Sequence, residues 1–401
     1  MKFRNDGKRK VIVISNGCPE NRLDAFIAQK FFTKNGWPTA STIKEADIIL
    51  FNACGQSNQE SLPMIQEIRA KKKKNAELII YGCLPKTKAH QLKKIYQGTT
   101  FDSDDFEKLD EIFPSEESSQ NIAGNFLIPV NLLSFSRRFL LHNDLENFSL
   151  LEITRKLRRK IPAYKYKQLN ENINISGDDI FNIKISSGCS SKCTYCSIRF
   201  ARGLLKSKSM PDIMNEFKSG INSGYKKIGL MGTEIADYGS DIGINLTQLL
   251  SELLKIDGDY KILLRNLNPH YFLKYLPNLI EIFKSGKIAY LETAVQSGNN
   301  RILGLMKRGY TIEEYKQAIY RFKREVPGIK IRTQVMVNFP TETEEEAQDT
   351  LNVLKELKFD FVELYDFRAE PYTLASKMEQ VPKSIARKRY HRMYTEIADL
   401  L

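Results

Sequence analysis

The six cysteines of this chain form two groups of three, and these groups carry most of its potential chemistry. The first group is a compact C-x3-C-x2-C run made of Cys189, Cys193 and Cys196. The second group is dispersed, and each member follows an apolar run: Cys18, Cys54 and Cys83. Three thiolates hold three irons of a four-iron cluster and leave the fourth iron open, whereas a purely electron-carrying cluster usually has four cysteine ligands. The pattern indicates an enzyme with two open iron–sulfur sites.

Other uses of cysteine have to be weighed against this interpretation. A zinc site at the compact run would need a fourth ligand, and His142 and His270 are far from it in sequence. Disulfides would need an oxidising compartment, and the N-terminus MKFRNDGKRKVIVIS has no apolar stretch long enough for a signal peptide. The dispersed cysteines have a further alternative, because buried cysteine is a common small core residue.

Length and composition set the class of protein. A chain of 401 residues is too long for one ordinary core, so two or three domains are expected. The formal net charge of +13 permits a polyanionic partner such as RNA without requiring one. The sequence has no apolar run that approaches the roughly 20 residues needed to cross a bilayer. We therefore expect a cytoplasmic protein without membrane contact.

The first part of the chain alternates short apolar runs with helical patterns. Strands are predicted at 10–15, 46–53 and 77–82, and helices lie between and after them at about 20–35, 58–74 and 86–97. This alternation predicts a parallel sheet covered by helices. Each dispersed cysteine lies just beyond a predicted strand, so the three thiols should converge at the carboxyl edge of the sheet, where ligands bind in such folds.

The alternation resumes after residue 180 and runs through six units. Strands are predicted at 181–186, 226–231, 260–265, 287–293, 329–337 and 359–366. The intervening helices are predicted at 211–223, 246–256, 271–284, 311–325 and 343–357. Six such units indicate a partial (β/α)6 barrel with its site at the carboxyl ends of the strands. The fold class is therefore α/β, and the compact cysteine run follows the first barrel strand.

The predicted organisation has four parts. These are an N-terminal α/β domain at 1–115, a linker with a basic helix at 116–180, the partial barrel at 181–380 and a terminal helix at 381–401. The linker is rich in cations, including Arg155, Arg158 and Arg159. These arginines are expected to contact an acidic peptide or RNA phosphates, and a solvated helix face is the alternative.

The compact run, with Tyr195 before its last cysteine and a strand ahead of it, resembles the radical S-adenosylmethionine (SAM) superfamily. The likeness extends to its methylthiotransferases, which carry a three-cysteine N-terminal domain. Further similar stretches are ARG at 201–203, GTEIADYGSD at 232–241, QSGNNRILGLMKRGYT at 296–311 and NFPTETEEE at 338–346. The chain departs from that family at Asn338 and Thr341, where glycines are usual.

The resemblance implies two [4Fe-4S] clusters and S-adenosyl-L-methionine as cofactors. The compact run should hold the cluster that cleaves SAM to a 5′-deoxyadenosyl radical, which removes hydrogen from an unactivated C–H bond. The dispersed cysteines should hold the second cluster, which carries the sulfur of the methylthio group. The two sites must then face each other across the domain junction. The implied electron donor is a protein such as flavodoxin or ferredoxin.

The same resemblance assigns contacts to SAM with six residues: Tyr195, Thr233, Glu234, Glu292, Gln296 and Arg332. Each has a simpler structural alternative. Thr233 and Glu234 are also compatible with a strand-end turn. Glu292 and Gln296 are compatible with a buried structural hydrogen bond, and Arg332 with a surface charge. The ring of Tyr195 is compatible with a place in the core.

Two stretches near the N-terminus bear on the substrate. The stretches NGCPENRLD (16–24) and NACGQSNQESL (52–62) look most like the branch that modifies an aspartate of a ribosomal protein. Family members normally end in a small β-barrel, the TRAM domain, and this chain stops at Leu401 after its terminal helix. We therefore favour a polypeptide acceptor, a ribosomal protein or precursor peptide, and hence a post-translational modification. The alternative is a tRNA base, which QSG at 296–298 and the net charge favour.

Arg202, beside the cluster loop, is expected to contact the substrate, with a plain surface charge as its alternative. The lesser functional alternatives are another radical SAM enzyme that inserts sulfur and an electron-transfer or scaffold protein with two clusters. Three ligands per cluster argue against the carrier.

Overall fold

The computed structural model of this protein describes residues 2–55, 58–125 and 179–401. The predicted basic helix with Arg155, Arg158 and Arg159 lies outside these residues, so their expected role in substrate binding stays a prediction. In the described part of the chain, no helix combines the length and apolar character that crossing a bilayer requires.

The first part of the chain contains a four-stranded parallel sheet in the order β1–β2–β3–β4. Its strands are β1 (Val11–Ser15), β2 (Ile48–Ala53), β3 (Glu77–Gly82) and β4 (Thr100–Asp102). Its helices are α1 (Pro19–Lys34), α2 (Asn58–Lys71), α3 (Leu84–Thr87), α4 (Ala89–Ile95) and α5 (Lys108–Ile112), with a 3-10 turn at Ser119–Asn121. The three predicted strands are confirmed, and the short β4 was not predicted.

The sheet is buried on both faces, which explains its nearly continuous apolar strands. Val11 and Val13 of β1 pack into one core with Phe31 and Phe32 of α1. The alternate residues of the same strand pack into a second core on the opposite face. Since side chains alternate across a strand, one apolar run supplies both cores.

The second part of the chain contains eight strands. They are β5 (Ile180–Lys184), β6 (Ser186–Ser187), β7 (Lys206–Ser207), β8 (Lys227–Met231), β9 (Lys261–Leu264), β10 (Leu291–Glu292), β11 (Ile331–Val337) and β12 (Phe361–Asp366). Strands β5, β8 and β9 form one parallel sheet, and β10, β11 and β12 form another. The pair β6–β7 is antiparallel.

Isolated parallel bridges connect the two three-stranded sheets. One joins Ile262 to Ile288, and another joins Leu267 to Thr293. The six parallel strands therefore follow one another as a single open series, with β5 and β12 at its ends. The expected partial barrel is confirmed in this open form, and the described strands do not close into a ring.

The same part of the chain also contains helices. They are α6 (Ile198–Arg202), α7 (Met210–Asn222), α8 (Leu246–Leu254), α9 (Pro269–Lys274), α10 (Leu276–Lys284), α11 (Asn300–Met306), α12 (Ile312–Glu325), α13 (Glu344–Leu357) and α14 (Lys383–Leu400), with 3-10 turns at Ile235–Asp237 and Ala375–Lys377. Capping boxes at Asn245, Thr311 and Thr343 fix where three of them begin, because each side chain accepts from the backbone of its first turn.

Candidate active site

The compact cysteine run lies in a loop whose ends are held together by the pairing of β6 with β7. Gly188, directly before the first cysteine, has φ +74°. A Cβ atom at this position would lie 2.1 Å from the carbonyl oxygen of Leu204. Glycine is therefore required where the loop begins, because both the backbone conformation and the space exclude a side chain. The loop then continues into the short helix α6.

The three cysteines of the run line one cavity of about 300 Å³. Desolvation by the surrounding protein raises the pKa of Cys189 to about 12 and that of Cys196 to about 11. Iron binds the thiolate, so filling this cavity with a cluster would displace protons. In the described residues no three His, Cys, Asp or Glu side chains are arranged to hold a single metal ion. A four-iron cluster makes a different demand, because each thiolate binds a different iron.

Arg308 contacts this cysteine loop directly. Its Nη1 donates to the Sγ of Cys193 at 3.3 Å and to the hydroxyl of Tyr195 at 3.3 Å, and its Nη2 donates to the carbonyl of Ala294 at 3.0 Å. Arg308 is buried, yet it forms no ion pair with a carboxylate of the described chain. A buried charge without a counter-charge is costly. An anionic group bound by Cys193 would supply that counter-charge.

The dispersed cysteines converge as the sheet topology predicts. The first three strands are in register near their carboxyl ends, where Ser15 pairs with Asn52 and Asn52 pairs with Tyr81. One cysteine follows each of these strands. The Sγ atoms of Cys18 and Cys83 both lie near the Oδ1 of Asn21, at 3.8 and 3.6 Å. All six cysteines are free of disulfides.

Cys54 lies directly against Gly17, the residue before Cys18, and so belongs to the same group of thiols. A Cβ atom on Gly17 would lie 2.5 Å from the Cβ of Cys54 and 2.7 Å from its Sγ. Gly17 also has φ +98°, so the residue before Cys18 is glycine for reasons of both conformation and space. The three thiols thus surround a small cradle at the carboxyl edge of the sheet, which fits a cluster held by three ligands.

Arg202 joins the two cysteine groups. Its guanidinium donates to Asn21 Oδ1 at 2.5 Å and forms ion pairs with Glu20 and Asp24, each at 2.9 Å. Its side chain is 1% exposed, so the alternative of a plain surface charge is wrong. Burial disfavours its charge, but the two carboxylates outweigh this and hold the pKa of Arg202 well above its usual range. These contacts fit a residue that fixes the junction, and its expected contact with substrate stays a prediction.

Thr233 and Glu234 follow β8 but face different neighbours. The hydroxyl of Thr233 lies 3.1 Å from both carboxylate oxygens of Glu20, across the junction. Glu234 is buried, and its Oε1 accepts from the backbone N–H groups of Ala236 and Asn268. Burial raises the pKa of Glu234 to about 7. Both side chains therefore have partners in the protein, and their contact with SAM stays a prediction.

A second, larger cavity of about 670 Å³ opens at the carboxyl ends of β11 and β12. Tyr195 and Gln296 both line it, together with Cys196. Gln296 has φ +67°, and its buried Oε1 has no hydrogen-bond partner in the described residues. A buried acceptor left without a partner marks a place where a polar ligand fits. Of the six expected SAM contacts, the structure brings these two into one cavity.

Glu292 and Arg332 lie behind the wall of this cavity. Glu292 is buried and accepts from Gln334 Nε2 at 2.8 Å, and Gln334 itself lines the cavity. Arg332 is buried rather than on the surface, donates to Glu363 at 2.6 Å and lies 3.7 Å from Glu292. The surface alternative for Arg332 is therefore wrong. Its Nε and Nη1 have no hydrogen-bond partner in the described chain.

Asn338 and Thr341, at the two positions where glycine is usual in the resembled family, have the left-handed backbone conformation that glycine adopts easily. Asn338 has φ +63° and Thr341 has φ +66°. Asparagine tolerates the left-handed region, and Asn338 is held there by donating to Asp366 and to the carbonyl of Ala386. Threonine is β-branched and rarely adopts this conformation, so Thr341 stores strain next to the barrel mouth.

Sequence reasoning missed Arg308, Asn21 and Gln334. Arg308 and Asn21 could have been predicted from the sequence, because they lie in stretches that carry the family resemblance, 296–311 and 16–24 respectively. Gln334 had no such signal. Its role becomes visible only in the structure, where β11 places Gln334 between Glu292 and the cavity.

Comparison with known families matches both parts of the chain. The profile described as the Radical SAM superfamily matches residues 183–354. The profile described as Uncharacterized protein family UPF0004 matches residues 10–101. The first match contains the compact cysteine run, and the second contains the dispersed group.

Among solved structures, the radical S-adenosylmethionine methyltransferase TsrM from Kitasatospora setae, with tryptophan and a SAM analogue bound, has a similar fold. The TM-score is 0.59 at 12% identity, and the match covers 92% of this chain and 75% of that one. At this identity the likeness concerns the fold alone.

Several relatives match over almost the whole chain. The probable threonylcarbamoyladenosine tRNA methylthiotransferase of Pyrococcus horikoshii is 30% identical over 393 residues, which are 97% of this chain and 84% of the relative. The ribosomal protein uS12 methylthiotransferase RimO of Protochlamydia amoebophila is 30% identical over 405 residues, covering 98% of this chain and 76% of the relative. The chain therefore belongs to the radical SAM methylthiotransferase family and is an enzyme of that kind.

Proposed function

We propose that this enzyme adds a methylthio group to tRNA, and that the acceptor is an adenosine of the threonylcarbamoyl kind. The observation that carries this proposal is the 30% identity to the Pyrococcus horikoshii relative along 97% of the chain. The relative from Aquifex aeolicus named threonylcarbamoyladenosine tRNA methylthiotransferase MtaB, at 29% identity over 389 residues, supports it. The net charge of +13 suits a polyanionic substrate.

The polypeptide acceptor that the sequence analysis preferred is not confirmed, because the comparisons favour the tRNA alternative. It stays the second candidate for one reason. The relatives named for ribosomal protein uS12 match this chain over comparable lengths, 405 and 387 residues. Either acceptor is a partner in the cytoplasm, where we propose that the enzyme works.

The two cysteine groups are proposed to hold the two clusters. Cys189, Cys193 and Cys196 would hold the first, in the cavity that they line together. The dispersed cysteines would hold the second, in the cradle beside Gly17. When bound, the first cluster and SAM supply the radical that removes hydrogen from the acceptor, and the second supplies the sulfur that is transferred.

SAM is proposed to occupy the cavity beside Cys196. Gln296 offers an unpaired buried oxygen there, and Tyr195 lines the same wall. Glu292 orients Gln334 toward this space through the 2.8 Å hydrogen bond. Thr233, Glu234 and Arg332 are not among the described residues that line this cavity, so we propose that they position its wall and the junction.

The proposal is tested by the product. Reconstituted enzyme, SAM and a reductant are incubated with tRNA that contains threonylcarbamoyladenosine, and the nucleosides are analysed by mass spectrometry. We expect that nucleoside to gain the mass of one CH2S unit. A matched tRNA from cells that lack the threonylcarbamoyl group serves as the control. Modification of ribosomal protein uS12 with none of either tRNA would overturn the proposal in favour of the second candidate.

The basic linker leads to a prediction about salt. If Arg155, Arg158 and Arg159 contact phosphates, replacing all three with glutamine removes about two to three units from the slope of log affinity for tRNA against log salt, because each contact contributes roughly 0.7–0.9. Binding is measured by filter retention or fluorescence anisotropy from low to moderate salt.

A matched variant separates contact from total charge. Lys226, Lys227 and Lys261 lie at or before the amino ends of β8 and β9, opposite the proposed site. Replacing these three with glutamine removes the same charge, and we expect the slope to change by less than about one unit. Equal slopes for the two triple variants would contradict a role for the linker arginines.

The buried guanidinium of Arg308 leads to a prediction about the first cluster. Hydrogen bonds to the sulfurs and nearby charge set the potential of such clusters. Arg308→Met is expected to lower the reduction equilibrium constant about tenfold, or roughly 59 mV for one electron. The potential is measured by redox titration followed by electron paramagnetic resonance.

Two further variants show whether the effect comes from the buried charge. Arg308→Lys keeps the charge and should recover most of the potential. Lys307→Gln removes an exposed charge one residue away, which solvent screens, so a smaller shift is expected. A potential of Arg308→Met equal to the wild-type value would mean that Arg308 only packs against the loop.

A further inference from the structure

The cavity that the compact cysteine run lines has an outer rim that faces solvent. We propose that this rim is the docking site of the electron donor, and that the donor is a small protein with an acidic surface. The rim, here called the donor face, consists of Lys192, Arg199, Phe200, Lys307, Tyr372 and Leu374. The inference rests on the proposed position of the first cluster and does not depend on the identity of the acceptor.

The apolar part of the donor face is unusually exposed. Phe200, Tyr372 and Leu374 are 44%, 61% and 54% exposed, and they are three of nine large apolar side chains that are exposed in the described chain. The rings of Phe200 and Tyr372 lie 6.3 Å apart, so they form one continuous patch. Concentrations of exposed apolar side chains mark interaction surfaces, and aromatic residues are enriched in them.

The charged part of the donor face has one sign. Lys192, Arg199 and Lys307 line the cavity, and none of its other lining residues in the described chain is a carboxylate. None of these three side chains forms an ion pair or a side-chain hydrogen bond with another described residue. By contrast, Lys88 is paired with Glu370 and Lys184 is paired with Asp24. Free cations around an apolar patch attract a partner with carboxylates at matching positions.

The arrangement of the two cavities favours an electron carrier over RNA on this face. Among the residues that the structure describes, the cysteine cavity and the proposed SAM cavity share one lining residue, Cys196. A partner on the donor face would therefore reach the cysteine side of the loop without covering the mouth that the acceptor must enter. Electron-transfer complexes are characteristically small and transient, which a patch of this size suits.

The proposed reaction at the donor face is the transfer of one electron. One electron passes from the reduced donor to the oxidised first cluster, the donor is oxidised by one electron, and no bond forms or breaks. Since the electron is the only thing exchanged, a small uncharged reductant can replace the protein donor without using the face. This difference provides the test.

The test uses the reconstituted holoenzyme with SAM and measures 5′-deoxyadenosine. The rate with reduced flavodoxin, an acidic donor, is divided by the rate with photoreduced 5-deazariboflavin at equal iron content. For Lys192→Glu/Lys307→Glu we expect this ratio to fall about tenfold, because rim charges steer association. Leu374→Ser should also lower the ratio, without changing its salt dependence. Lys226→Glu/Lys227→Glu, at the opposite edge of the strands, is the control and should keep the wild-type ratio.

Each outcome decides the proposal. A ratio that falls only in the donor-face variants supports it, even if no tRNA product forms, since the cleavage of SAM is read separately from methylthio transfer. A ratio equal to that of the control overturns it. It is also overturned if the donor-face variants weaken tRNA binding and leave the ratio unchanged, because the face would then bind nucleic acid.

Discussion

Cys193→Ala is expected to abolish the formation of 5′-deoxyadenosine, whereas Cys18→Ala is expected to preserve it. The first change removes a thiolate from the cavity beside the proposed SAM site, and the second removes one from the cradle at the edge of the N-terminal sheet. Anaerobically reconstituted wild-type enzyme should contain about eight irons per chain, and each variant about four. Iron analysis and chromatography of the reaction with SAM and reductant measure both effects.

The two variants are controls for each other, since each removes one thiol and leaves the other group intact. Cys18→Ala should fail to form the methylthiolated product although it still cleaves SAM, because the second cluster is the proposed source of the sulfur. The opposite pattern, with cleavage lost in Cys18→Ala and kept in Cys193→Ala, would reverse the assignment of the two sites. Wild-type enzyme with only four irons would remove the proposed source of sulfur.

Arg202→Met is expected to lower the free energy of unfolding by about 3–5 kcal/mol, which is the usual cost of breaking a buried ion pair from one side. The change leaves the carboxylates of Glu20 and Asp24 buried at the junction without their guanidinium. Lys184 still pairs with Asp24 at 2.6 Å, so the cost should lie toward the lower end of this range. Denaturation by urea is followed through Trp37, the single tryptophan, which is buried in the N-terminal core.

Arg301→Met is the matched control for this prediction. Arg301 also pairs with a carboxylate, Glu346 at 2.6 Å, but its side chain is 48% exposed. An exposed pair contributes up to about 1 kcal/mol, so its loss should cost little. Equal costs for the two variants would contradict the view that Arg202 holds the junction. A double variant with Asp24→Asn should be less destabilised than the sum of the single changes, because the two residues share one interaction.

The strands and their carboxyl edge were predictable because their determinants are local. Apolar runs bounded by turn residues fix where β1, β2 and β3 lie, and parallel topology brings their ends to one edge. The convergence of Cys18 and Cys83 on Asn21 follows from that topology without any knowledge of side-chain contacts. The unpredicted β4 is only three residues long, too short for a periodic pattern to appear in the sequence.

The partners of individual charged side chains were not predictable from their own surroundings in the sequence. Arg202 was expected near the substrate or on the surface, yet it is paired with residues about 180 positions earlier in the chain. The partners of Arg332 were not predictable either, since its carboxylate partners come from neighbouring strands. A charge in the sequence carries no information about burial, because burial is decided by how distant elements pack.

The sequence by itself therefore determined the type of chemistry: two groups of three thiols, each following a strand, in a chain that resembles the radical SAM methylthiotransferases. Cysteine spacing and apolar periodicity are local properties, so they can be recognised in the sequence without knowledge of the fold. Only the tertiary structure decided that Arg202 links Asn21 to the cluster loop and that Arg308 lies against Cys193. Both contacts join residues more than one hundred positions apart, and packing alone brings such residues within hydrogen-bond distance.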